Sequence, residues 1–246
     1  MITQLTIIRI YKIINIIFYF NFKFYLIFFK YLISPSFEHK KILKEIIDVN
    51  TYLDVGANRG QFILLLNYFF PSCKILAFEP LKKEYHLLKQ IFKKEANVKI
   101  LNYAIGNKNG MININISNSS DSSSVLFPTK LQLKNFPGTF IVKKSSTRIK
   151  KLKNFTANIE KPIFLKIDVQ GYELEVLKGS NLRHIKYIYL EGSYVELYKN
   201  QVLIKSIMKF LLLKRFKLIK RVNCYKNDNG KPIQADFLFI NKIYDN

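Results

Sequence analysis

The chain holds no tryptophan, two cysteines and three histidines in 246 residues. Cys73 and Cys224 lie far apart and no Cys-x-x-Cys pair occurs, which argues against a disulfide framework and a structural zinc site. His39, His86 and His184 are isolated, so no metal is expected. Acids are scarce too: 17 Asp and Glu stand against 40 Lys and Arg, a formal net charge of +23. Such an excess usually points to nucleic acid or an anionic membrane. Lysine outnumbers arginine severalfold, however, and Ile, Asn, Phe and Tyr are abundant alongside it, as AT-rich coding produces. The excess therefore reads first as composition bias with solvated lysine faces, and nucleic acid is not the expected partner. No uninterrupted apolar run of 18 residues is present, and no small-residue cleavage site follows the first apolar stretch. These absences argue against a removed signal peptide, and the two distant cysteines fit a reducing cytoplasm.

About half of the residues are apolar and 15% are aromatic, enough for one α/β domain with a full core and a short extension. The extension is the block 1–33, where Asn15, Asn21, Lys23 and Lys30 interrupt apolar and aromatic runs. At about 100° per residue, Arg9, Lys12, Lys23 and Lys30 share a narrow sector of a helical wheel. Such a helix fits the inner face of a membrane with its lysines on anionic lipid, or it spans the membrane, or it packs on the domain or on a second subunit. Ser34-Pro35-Ser36 breaks the pattern. It separates a segment 1–36 from a domain 37–246.

Downstream the chain alternates strands and helices. A helix is expected from His39 to Val49, a strand over Tyr52 to Val55, a helix from Gln61 to Phe69, and a strand over Lys74 to Phe78. Then come a helix over Leu81 to Lys94 and a strand over Val98 to Leu101. This βαβαβ run predicts a parallel sheet covered on both faces. Met111 to Ser117 alternates as a half-buried strand, and a serine-rich stretch, Asn118 to Ser124, follows it as a linker or a cover for the cleft. Thr139 to Lys143 reads as a strand and Thr147 to Phe155 as a short helix. Ile163 to Asp168 and Tyr187 to Leu190 are further strands, and Gln201 to Phe216 is an amphipathic helix. Asn227-Asp228-Asn229-Gly230 marks a turn between two final antiparallel strands, Leu218 to Val222 and Ala235 to Asn241.

Four acids stand at predicted strand ends: Asp54, Glu79, Asp168 and Glu191. Ligands of open α/β sheets sit beyond the carboxyl ends of the strands, so these acids are expected to face one cleft. The first turn reads Asp54-Val-Gly56-Ala-Asn58-Arg-Gly60-Gln61. It lacks the lysine of a P-loop and the G-x-G-x-x-G spacing of a dinucleotide site. An acid at this point suits a ligand with an ammonium or sulfonium, such as the amino acid end of S-adenosylmethionine. Glu79 is the residue type that accepts hydrogen bonds from two ribose hydroxyls and repels a 2′-phosphate.

These residues resemble the FkbM-type S-adenosylmethionine-dependent methyltransferases. The matching pieces are Asp54 to Gln61, Ala77-Phe-Glu79-Pro80, Asn102-Tyr-Ala-Ile-Gly106, Ser122-Ser-Ser124 and Leu165-Lys-Ile-Asp-Val-Gln-Gly-Tyr-Glu-Leu-Glu-Val-Leu-Lys-Gly179. The resemblance implies a Rossmann-like class I fold, α/β, with a mostly parallel seven-stranded sheet and an antiparallel last strand. It implies that Asp54, Gly56, Asn58, Gly60 and Gln61 surround the methionine portion, Glu79-Pro80 the ribose, and Ala104 and Ile105 the adenine, with Asp168 between cofactor and acceptor. It also implies O-methylation of a hydroxyl on a glycan, a lipid-linked saccharide or a secondary metabolite. Asp168 is the first candidate for the base and Glu191 the second. Gln170 stands where the family usually carries Glu, and no acid occupies the stretch Thr147 to Lys151. Two rival readings are an RNA or protein methyltransferase, favoured by charge alone, and a non-catalytic membrane- or partner-binding module. The first lacks an Asn/Asp-Pro-Pro-Tyr motif and a Cys-Pro pair.

Overall fold

A computed structural model describes residues 22–245. A first helix, α1 (Phe22–Tyr31), a 3₁₀ turn (Phe37–His39) and a single-turn helix, α2 (Lys40–Leu43), lead into the sheet. Then follow β1 (Thr51–Val55), α3 (Gln61–Phe69), β2 (Lys74–Phe78), α4 (Lys82–Ile91) and β3 (Val98–Leu101). An excursion comprises β4 (Ala104–Ile105), β5 (Gly110–Ser117), α5 (Lys130–Asn135) and β6 (Ile141–Lys150). The main sheet resumes with β7 (Ile163–Ile167), α6 (Glu173–Lys178), β8 (Ile185–Ser193), α7 (Ile204–Leu213), β9 (Phe216–Lys226) and β10 (Pro232–Asn241).

Seven strands form one sheet in the order β3-β2-β1-β7-β8-β10-β9. β10, the last in sequence, runs antiparallel to both of its neighbours, β8 and β9. The remaining pairs are parallel. β4, β6 and β5 form a separate three-stranded sheet beside the cleft. The main strands are apolar on both sides because helices cover both sides. Tyr52, Phe164, Tyr187, Tyr189 and Leu238 meet Phe62 to Leu66 of α3, Leu88 of α4, and Phe24 and Ile27 of α1. Leu53, Leu165, Ile188, Phe237 and Phe239 meet Val176 and Leu177 of α6 and Ile204, Ile207 and Leu211 of α7.

The expected βαβαβ core and the final antiparallel strands are present. The segment read as a helix from His39 to Val49 forms only the 3₁₀ turn and α2. Asp48 takes a left-handed φ of 49° as the chain turns into β1, and Ile47 is left exposed. Thr147 to Phe155 is not a helix. Thr147 to Lys150 finish β6, which satisfies the edge of β5 in the register Ile112↔Thr147, and Leu152–Asn154 form a 3₁₀ turn. Lys143, Lys144 and Arg148 face solvent on β6, so no apolar period marked the strand.

Of the amino-terminal block, α1 is described and residues 1–21 lie outside the described residues. α1 seats Phe24 against Phe37 and Tyr68, with ring centroids 6.2 and 5.4 Å apart. Ser34, Pro35 and Ser36 are buried, and the Ser36 amide donates to the Gln61 carbonyl at 3.2 Å. Among the described residues no helix is long and apolar enough to cross a membrane.

The excursion is fixed to the main sheet at Gly179. A Cβ there would lie 1.9 Å from the Gly106 carbonyl oxygen, so the end of α6 touches backbone after β4. Gly179→Ala is expected to force these segments apart and cost about 1–3 kcal/mol. Thermal unfolding should register this as a drop of several degrees in Tm.

Candidate active site

The strand-to-helix turns after β1, β2 and β7 open into one cavity of about 670 Å³, its mouth included. Gly56 begins the first turn at φ +84°, and a Cβ there would fall 1.8 Å from the Asp168 carbonyl oxygen. Only glycine permits that approach, so the turns after β1 and β7 touch through backbone. The Gly56 and Ala57 amides both donate to the Phe78 carbonyl of β2 at 3.1 Å. Asn58 follows at φ +46°, a left-handed conformation that asparagine tolerates. Gly60, at φ +85°, packs so closely on Leu88 and Phe92 that a Cβ would meet both within 2.8 Å.

Glu79 is buried at the end of β2. One carboxylate oxygen accepts from the Asn58 amide and the other from the Leu81 amide, each at 2.7 Å. Burial pushes its pKa up to about 8, against the opposing pull of those two amides. Each oxygen keeps a further lone pair, and the residue lines the cavity. Ala104, Ile105 and Ile114, with Tyr103 and Tyr172, give the same cavity an apolar part of its lining.

Asp54 is not on the wall. It is wholly buried behind the turn, where Lys166 Nζ lies 3.0 Å from its Oδ1. The same ammonium stands 3.4 Å from Asp168 Oδ2 and donates to the Gly56 carbonyl at 3.1 Å. Burial alone would lower the Lys166 pKa, but the two carboxylates outweigh it and raise it. Burial raises that of Asp54 in spite of Lys166. Asp54 thus meets a cation of this chain, where a ligand ammonium was expected.

Asp168 lines the cavity just past the end of β7. Gln170 Nε2 donates to Asp168 Oδ1 at 2.9 Å and to Glu191 Oε1 at 3.1 Å. The Tyr198 hydroxyl donates to Gln170 Oε1 at 2.9 Å. Glu191 was expected at a strand end, but β8 continues through it because β10 pairs with it, Asp236 lying opposite Glu191. Its second oxygen accepts from Gln234 Nε2 at 2.8 Å. Burial and the neighbouring carboxylate of Asp168 raise its pKa well above the usual range. Glu191 therefore stands behind Gln170 and off the cavity wall.

The serine-rich stretch covers the cleft. Ser120 Oγ donates to Asn58 Oδ1 at 3.2 Å, and Ser124 Oγ to the Gln170 carbonyl at 2.7 Å. Gly56, Asn58, Glu79, Pro80, Ala104, Ile105 and Asp168 thus line one cavity, whereas Asp54, Gly60, Gln61 and Glu191 lie outside its lining. Lys166 and Tyr198 were missed, because a lysine inside an apolar strand and a tyrosine in a loop carry no motif of their own. His39, isolated in sequence, pairs with Asp236 at 3.3 Å beside the Tyr189 hydroxyl. Burial alone would raise the Asp236 pKa, but the hydrogen bonds from His39, Asn223 and Tyr189 lower it.

A buried acid ending β2, a glycine turn after β1 and an apolar pocket beyond β3 define an S-adenosylmethionine-dependent methyltransferase of the Rossmann-like class. Glu79 offers two acceptors for a ribose diol, and the cavity beside it has room and an apolar wall for a nucleobase, so the residues present fit this cofactor. Residues 54–218 match the methyltransferase FkbM domain, and the chain belongs to that family. It is similar to the 2-O-methyltransferase NoeI of Sinorhizobium fredii, 25% identical over 177 residues, covering 68% of this chain and 72% of NoeI. Among solved structures it resembles TrmK of M. capricolum in complex with S-adenosyl-homocysteine. That match has a TM-score of 0.51 and 9% identity, and it covers 85% of this chain and 69% of that one. The precorrin-6y C5,15-methyltransferase of Geobacter metallireducens has a TM-score of 0.46 at 12% identity, over 82% and 86% of the two chains.

Lys166→Met is expected to leave Asp54 buried without a counter-charge and to cost about 3–5 kcal/mol. The double variant Asp54→Asn/Lys166→Met, lacking both charges, should recover part of that loss. Urea unfolding of the two variants beside wild type measures the difference.

Proposed function

We propose that this methyltransferase acts on oxygen, on a hydroxyl of a saccharide, free or lipid-linked. The observation that carries this reading is Asp168, a carboxylate on the cavity wall with both oxygens oriented by other groups. The similarity to a 2-O-methyltransferase supports the choice of oxygen.

Bound S-adenosylmethionine supplies a methyl group activated by its sulfonium. The chain's residues have two tasks. Glu79 holds the ribose hydroxyls, while Gly56 and Asn58 shape the turn beside the amino acid end and Ala104 and Ile105 the adenine side. Asp168 would accept the proton of the acceptor hydroxyl as that oxygen takes the methyl and the methyl–sulfur bond breaks, the sulfur leaving as a neutral thioether and the proton passing from acceptor oxygen to carboxylate. Lys166 and Gln170 hold that carboxylate in place, and Glu191 acts through Gln170. The serine-rich cover excludes water and aligns the acceptor. Asn58, Ser120, Asp121 and Gln170 line the same cavity as Asp168 and suit a polyhydroxylated acceptor, since each can accept from or donate to a hydroxyl.

The protein should transfer labelled methyl from S-adenosylmethionine to fractionated saccharides or glycolipids. Asp168→Asn should lower kcat by about 10²–10⁴ with cofactor binding kept. Label found only in nuclease- or protease-sensitive material would sink the saccharide reading and favour RNA or protein.

Glu79 gives a pH dependence with a definite sign. Its folded pKa, about 8, lies above its unfolded value, so the folded state keeps a proton that the unfolded chain releases. In the ligand-free protein this contribution is favourable at low pH and is lost as pH rises from the unfolded value to about 8. Ribose hydroxyls prefer the ionised acceptor, so cofactor affinity should rise over the same window. Isothermal titration across pH 6–9 (about the range that brackets this pKa) should show the rise in wild type and its absence in Glu79→Gln.

A further inference from the structure

α1 has two apolar faces, and the domain uses only one. Phe24 and Ile27 are buried in the core on one side. On the other, Phe22 is 71% exposed, Leu26 57% and Phe29 76%, and Leu32, just past the helix, is 73% exposed. At about 100° per residue, Phe22, Leu26 and Phe29 fall within a sector of roughly 60°, and Lys30 flanks it. Four large apolar side chains together in water cost free energy that isolated surface residues do not.

We propose that this outward face docks on an anionic lipid bilayer. Charge complementarity favours lipid over a second copy of the chain. Two copies, each of formal net charge +23, repel one another, whereas an anionic surface attracts both. Lys30 is exposed beside the apolar face, where an ammonium reaches headgroup phosphates while the rings enter the acyl boundary.

The attachment leads directly to the catalytic centre. Arg59, inside the glycine turn, donates from Nη2 to the Tyr31 carbonyl at 2.7 Å, at the carboxyl end of α1. The Ser36 amide holds Gln61 at the start of α3. A bilayer that seats α1 therefore orients the cofactor turn relative to the lipid surface. The docking holds whichever acceptor the enzyme uses, so it fails or survives separately from the saccharide reading.

The test is flotation of the full chain with vesicles of phosphatidylcholine alone or mixed with phosphatidylglycerol. Binding is expected only with the mixed vesicles, and should weaken as salt is raised. Leu26→Glu and Phe29→Glu replace exposed residues and should each lower binding at least about tenfold, since each removes one buried apolar side chain and adds a like charge to the anionic surface. Leu213→Glu, equally exposed but on α7, should leave it unchanged. Unaltered Tm and unaltered cofactor titration certify the fold of each variant. Wild type that ignores mixed vesicles, or face variants that bind as wild type does, would overturn the proposal. So would light scattering that shows a dimer broken by Leu26→Glu, because the face would then belong to a second copy.

Discussion

A single buried ammonium ties the site together. Lys166 projects, buried, from the central strand β7 and meets Asp54 of β1, Asp168 at the end of β7 and the Gly56 carbonyl. Desolvating a charge is costly, and only close counter-charges offset it. The sheet therefore cannot shift β1 against β7 without separating opposite charges in a medium that screens them poorly. That constraint fixes the glycine turn and places Asp168 beside it.

The polar groups continue outward from that pair. Asp168 is linked through Gln170 to Glu191, then to Gln234, and Tyr198 closes on Gln170 from the loop after β8. Three carboxylates (Asp54, Asp168 and Glu191) are thus spaced by one ammonium and one amide. An amide at position 170 donates to both of its acids, a task that a carboxylate there could not perform without a proton or a cation. Phe62, stacked on Phe164 and Tyr189, lies against Lys166, whose ammonium sits 5.6 Å from the Phe62 ring centroid.

Much of this was legible in the sequence, and the limits have physical causes. The parallel core announced itself because buried strands are short apolar runs between glycine turns, and Glu79 and Asp168 because strand-end acids have a fixed place in such sheets. Asp54 misled for the same reason: its position in the motif was right, but its partner, Lys166, lies 112 positions away and was invisible from either side. Glu191 misled because strand length depends on pairing, and β10 extends β8 past the point where apolar residues stop. The start of β6 falls in the stretch read as the strand Thr139 to Lys143, but its second half was read as a helix, since its outward side chains are lysines and an arginine and its strand form comes from pairing with β5. α1 was read as one amphipathic surface, whereas the fold divides it into a face that is taken and a face that is not.

The contact between Gly56 and the Asp168 carbonyl bears on how such an enzyme can diversify. Two turns locked backbone to backbone leave little freedom for the glycine turn to drift relative to the turn that carries Asp168. Variation in what is methylated must come from elements that hang on this lock without forming it. Here those are the serine-rich cover, which meets it through the Ser120 and Ser124 hydroxyls at Asn58 and Gln170, and the β5–β6 sheet beside it. The chemistry is inherited as one rigid piece, and substrate choice is left to the pieces around it.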